Sequence, residues 1–132
     1  MILVDTSVWI DFFRGRGTPA DRWLQDALAH DEDLCLCGEV LTEILQGLST
    51  PRQIATVERA LQPLVYLPLD REGYVEAAAI YRAARAKGKT IRNTVDCIIA
   101  ACAIAHNIPL AQNDRDYHTI ADVSNLKLVS LG

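Results

Sequence analysis

The opening stretch, Met1-Ile2-Leu3-Val4-Asp5-Thr6-Ser7, limits the fold more than any other part of the chain. Ile2-Leu3-Val4 is apolar, too short for a helix, and suited to a strand buried on both faces of a parallel sheet. The run stops at an acid, and Thr6 and Ser7 then offer hydroxyls able to cap a helix over residues 8–13. Val8, Trp9, Phe12 and Phe13 share one face of that helix. Asp5 therefore stands where a strand ends and a helix begins, the edge of an open α/β sheet at which ligands bind. An acid there either caps the helix or belongs to a site. If it is buried it needs a partner, and a cation is the usual one.

The rest of the chain alternates in the same way. Thr18-Pro19 starts a helix that ends near His30, and Leu34-Cys35-Leu36-Cys37 reads as a second strand. A helical pattern through Val40, Leu41, Ile44, Leu45 and Leu48 follows, and Thr50-Pro51 begins another helix over residues 52–61. Residues 63–68 form an extended run hemmed in by prolines. Asp70 caps a long helix through Lys87, which Gly88 ends. An alanine-rich helix opens at Thr94-Val95 and runs to His106. A strand over residues 108–111, a polar loop over 112–117, a short helical piece over 118–121 and a last strand over 126–130 complete the chain. Strands alternating with helices, without a hairpin signal, predict a parallel sheet flanked by helices, with residues 1–132 as a single domain.

Composition narrows the class. The chain has 132 residues, half of them hydrophobic, enough for a packed core. No apolar run is long enough to cross a bilayer, and the N-terminus lacks a basic segment with a cleavage site, so a soluble, cytoplasmic protein is expected. Cys35, Cys37, Cys97 and Cys102 do not follow zinc-ligand spacing and read as free buried thiols. The net charge of −4 disfavours non-specific nucleic-acid binding, but Arg82, Arg85, Lys87, Lys89 and Arg92 form a run with no acid among them.

Several acids fall near one sheet edge. Asp5 follows the first strand, Glu43 lies on the helix after the second, and Asp114 and Asp116 follow the strand ending at residue 111. Asp96 lies in the first turn of the alanine-rich helix, where the helix dipole favours a carboxylate. Each has an ordinary alternative role as a cap, turn or surface residue. Together, carboxylates from four chain regions would repel unless divalent cations sat among them. Oxygen-only ligation selects Mg²⁺ or Mn²⁺, the ions used for phosphodiester hydrolysis. A polyanionic substrate would need a cationic approach, for which the run from Arg82 to Arg92 is the candidate.

These pieces, in order and spacing, resemble the PIN-domain ribonucleases, and in particular the VapC-type toxins of type II toxin–antitoxin modules. The resemblance rests on Ile2-Leu3-Val4-Asp5-Thr6-Ser7-Val8-Trp9-Ile10, on Glu43 with Gly47, on Thr90, Arg92, Asp96-Cys97 and Ile99-Ala100-Ala101, and on Asp114-Arg115-Asp116-Tyr117. It implies a three-layer α/β fold with a central parallel five-stranded sheet. It further implies a Mg²⁺- or Mn²⁺-dependent endoribonuclease cutting transfer or ribosomal RNA. By position, Asp5, Glu43 and Asp96 match the family's core acids, and Asp114 and Asp116 match its last acidic loop. A homodimer, a VapB-like antitoxin and operator DNA reached only through that antitoxin are the implied partners. The chain departs from the family pattern at Gln112-Asn113, where Thr-Arg is common, and at Tyr117, where Phe is common. Direct ligation by Asp114 or by Asp116 is left open. The competing readings are a non-catalytic PIN-like binding module and an aspartyl-phosphate phosphatase or receiver. Ser7, where such a phosphatase needs an acid, and the lack of an acidic pair in the first strand speak against the latter.

Overall fold

Ile2–Val4 forms strand β1, with Leu3 and Val4 fully buried, as its unbroken apolar run requires. In the computed structural model, which describes residues 1–132, it is followed by helices α1 (Thr6–Phe13) and α2 (Pro19–Ala29). Strand β2 (Leu34–Cys37) leads through helices α3 (Gly38–Gln46) and α4 (Pro51–Leu61) to strand β3 (Val65–Leu67). Helices α5 (Arg71–Ala86) and α6 (Thr94–Ala105), strand β4 (Leu110–Ala111) and helix α7 (Asp116–Asp122) complete the order.

The sheet is wholly parallel, in the order β3-β2-β1-β4, with Leu3 paired to Cys35 on one side and Leu110 on the other. It has four strands where five were expected. The expected fifth, residues 126–130, is reduced to one parallel bridge between Leu110 and Leu128, with Leu110 N–H donating to Lys127 O and Val129 N–H to Leu110 O. The reason lies in β4. Pro109 precedes it and the acidic loop follows at once, so only two residues of ladder remain for a neighbour.

Helices α1 and α7 also begin more than one residue before their expected boundaries. Helix α1 begins at Thr6 because Asp5 itself caps it, its carboxylate accepting from Ser7 N–H at 3.0 Å. Helix α7 begins at Asp116 and takes Asp116 and Tyr117 into its first turn. Helix α6 is buried along most of its length through Cys97, Ile99, Ala100, Ala101, Cys102 and Ala103. Its small side chains, with Ala77 and Ala84 of α5, let the two helices approach closely. No helix is long and apolar enough to cross a membrane.

One charged residue inside α1 organises the loops. Asp11 is 3 % exposed and accepts from Arg16 NH1 at 2.9 Å, Thr18 Oγ1 at 2.8 Å and Asn113 Nδ2 at 2.8 Å. It thereby ties the α1–α2 connection to the loop after β4. Asp11→Ala leaves those donors without their buried acceptor and is expected to cost about 2–3 kcal/mol of unfolding free energy, measured by urea denaturation.

Candidate active site

In a parallel sheet the carboxyl ends of the strands share one edge, and the N-termini of returning helices lie there too. Asp5 follows β1, Glu43 lies on α3 after β2, Asp114 and Asp116 follow β4, and Asp96 is in the first turn of α6. All five expected acids line one cleft of about 340 Å³, together with Thr6, Ser7, Ile10, Arg92 and Asn93. Oxygens of Asp96, Asp114 and Asp116 lie within 4.8 Å of one another. Asp5 adjoins this group across the hydroxyl of Tyr117, which donates to Asp5 Oδ1 at 2.6 Å and lies 3.4 Å from Asp96 Oδ1.

Each acid is held. Asp5 Oδ2 accepts from Ser7 N–H and from Ser7 Oγ at 2.5 Å, and Asn113 N–H donates to that same Oγ at 2.9 Å. Asp5 N–H donates to Ala111 O at 2.8 Å, so β1 and β4 deliver their acids side by side. Thr6 Oγ1 donates to Glu43 Oε1 at 2.7 Å. Asp114 Oδ1 accepts from Asp116 N–H at 3.0 Å, and Gln112 Oε1 accepts from Asp114 N–H at 2.7 Å, which fixes the loop between the two acids.

Of the expected cationic run, Arg92 alone lines the cleft. Its Nε and backbone N–H donate to Asp116 Oδ2 at 3.0 and 3.2 Å, and its NH2 to Asp114 Oδ1 at 2.8 Å. Arg82 and Arg85 are exposed on α5, where Arg85 lies over the Tyr81 ring, and Lys87 and Lys89 are exposed on the turn beyond it. The sequence marked Thr6 and Ser7 only as helix caps and Asn113 only as a departure from the family pattern, and it gave no sign of the ion-pairing role of Arg92. Tyr117 stood out there only as a departure from Phe.

Electrostatics set the acids apart. Burial, and then the neighbouring Asp5, Asp114 and Glu43, push the Asp96 carboxyl up to about 7. Glu43 is raised as well, mainly by burial, with Asp5 and Glu39 adding to it and the Thr6 hydrogen bond opposing it. Burial and the adjacent Asp5 and Asp96 carry the Tyr117 phenol well above its ordinary value, so it is a neutral donor across the physiological range. A set of carboxylates at this spacing, with one of them resisting ionisation, fits a hard divalent cation held by oxygen alone.

Residues 2–123 match the model of the PIN domain. The chain belongs to the PIN-domain family, among the VapC ribonucleases. Ribonuclease VapC11 of Mycobacterium tuberculosis is 37% identical over 132 residues, covering 98% of each chain. Among solved structures, the fold is similar to a chain of VapBC2 from Rickettsia felis bound to a DNA fragment from its promoter (TM-score 0.76, 21% identity, 98% of each chain). It is also similar to a chain of a toxin–antitoxin complex from Klebsiella pneumoniae (TM-score 0.70, 22% identity, 89% of this chain and 90% of that one). At those identities the structural likeness establishes the fold, and the likeness to VapC11 establishes the family.

The raised Asp96 carboxyl has a measurable consequence. In the unfolded chain it ionises near 4, so between about pH 4 and pH 7 its deprotonation favours unfolding, and the full cost is present above pH 7. In EDTA, Asp96→Asn is therefore expected to raise the melting temperature at pH 8 by about 3–8 °C. The gain should shrink towards zero near pH 4, as followed by circular dichroism at both pH values.

Proposed function

We propose that this chain is a Mg²⁺- or Mn²⁺-dependent endoribonuclease, the toxin of a type II toxin–antitoxin pair, whose cutting of transfer or ribosomal RNA slows translation. The observation that carries the reading is the convergence of Asp5, Glu43, Asp96, Asp114 and Asp116 in one cleft, from segments far apart in sequence. Asp96, Asp114 and Asp116 would hold the ion directly, with Asp5 completing the set beside Tyr117. When bound, the cation supplies a water of lowered pKa and neutralises charge on the phosphate. Glu43, whose Oε1 accepts from Thr6 and whose carboxyl is raised by burial, would take the proton of an attacking water at Oε2. Arg92, more than half exposed at the cleft mouth, can turn guanidinium N–H groups towards a phosphate oxygen. Arg82, Arg85, Lys87 and Lys89 would extend the cationic approach for the RNA backbone.

A VapB-like antitoxin is the partner expected to silence the site. A homodimer is the expected assembly, operator DNA is contacted only through the antitoxin, and the compartment is the cytoplasm. The solved toxin–antitoxin complexes with the same fold support this reading.

Purified protein incubated with cellular RNA should give discrete fragments with Mg²⁺ or Mn²⁺ and none with EDTA. Asp5→Asn and Asp96→Asn should each lower the rate by more than about 100-fold, beyond what loss of an outer hydrogen-bond partner costs. Cation binding without cleavage of any RNA, in antitoxin-free protein, would replace the nuclease reading with that of a binding module.

A further inference from the structure

Tyr117 is fully buried, and packing alone would be served by a phenylalanine there. A buried hydroxyl needs a partner, and this one has a short, specific contact with Asp5 Oδ1 at 2.6 Å, on a residue 112 positions away in sequence. The other Asp5 oxygen is already committed to Ser7, through both N–H and Oγ. Oδ1 is therefore the Asp5 oxygen left to face a cation, and the phenol governs its direction while keeping a second lone pair free. The same phenol oxygen lies 3.4 Å from Asp96 Oδ1, between the two core acids.

We propose that Tyr117 is a positioning residue for the acid cleft, its hydroxyl locking Asp5 so that Asp5 and Asp96 present oxygens to one cation. This rests on the metal-dependent reading above. A purely structural hydroxyl would affect folding stability and leave cation binding unchanged, which separates the two roles.

The test titrates Mn²⁺ into metal-free wild-type and Tyr117→Phe protein by calorimetry, alongside RNA cleavage across Mn²⁺ concentrations. The expected result is binding about 10–100-fold weaker in the variant, with cleavage largely recovered at saturating Mn²⁺. Equal Mn²⁺ affinity in the two proteins overturns the proposal and leaves the nuclease reading standing. Unchanged affinity with cleavage lost at every Mn²⁺ concentration also overturns it. Wild-type protein that binds no Mn²⁺ overturns both.

Should Tyr117→Phe not fold, wild-type protein carrying ring-labelled tyrosine decides the matter by NMR during a Mg²⁺ titration. Tyr66 and Tyr74 are exposed and Tyr81 partly so, which leaves Tyr117 as the one fully buried ring. Its resonance is expected to shift with the midpoint of Mg²⁺ binding. A resonance that stays fixed while Mg²⁺ binds overturns the proposal.

Discussion

Mutual repulsion among carboxylates is the constraint around which this molecule is arranged. A parallel sheet gathers its strand ends on one edge, and this sequence puts acids at or just beyond three of them and at the head of the returning helix α6. Left alone, such a group would splay apart or stay protonated. Hydroxyls and one guanidinium hold it together instead: Ser7 and Tyr117 on Asp5, Thr6 on Glu43, Arg92 on Asp114 and Asp116. The remaining imbalance falls on Asp96, which resists ionisation because it is buried and faces Asp5, Asp114 and Glu43, with only the Tyr117 hydroxyl at 3.4 Å to oppose them. The cleft is thus poised for an added positive charge.

The same contacts show why Arg92 differs from the other members of its run. Charge patterning groups it with Arg82, Arg85, Lys87 and Lys89, because all five follow one another without an acid. In three dimensions the chain turns after Gly88, and Arg92 comes to lie over the acidic loop, joined to it by backbone and side chain. A run of one sign in sequence has become two surfaces: an exposed helix end and a clamp at the mouth of the cleft.

Much of this was legible in the residues. Ile2-Leu3-Val4 and Leu34-Cys35-Leu36-Cys37 are apolar at every position and become strands buried in a parallel sheet, and the placement of the acids beyond the strands follows from that topology alone. The two readings of Asp5, cap or site, proved compatible: one carboxylate caps α1 and faces the cleft. What escaped was whatever depends on pairing across the chain. Thr6 meets Glu43 over a separation of 37 residues and Ser7 meets Asn113 over 106, and no local pattern encodes either contact. Asp11 did leave a trace, as the lone charge in the apolar run from Val8 to Phe13, where a buried acid implies several donors around it. The expected fifth strand is present only as one parallel bridge, because residues 126–130 are apolar enough to pair while the brevity of β4 decides how much ladder is on offer.

The joining of Asp5 to Ala111, Asn113 and Tyr117 also fixes when in the life of the chain the cleft can exist. Synthesis delivers Asp5, Glu43 and Asp96 before β4 and the segment after it, which bring the other two acids and the Tyr117 donor to Asp5. A chain still lacking residues 110–117 has an exposed edge on β1 and an Asp5 whose Oδ1 has no partner. The long-range closure must wait until residues 110–117 have been made. The cleft is therefore complete only once β4, its loop and the first turn of α7 have joined the elements made before them.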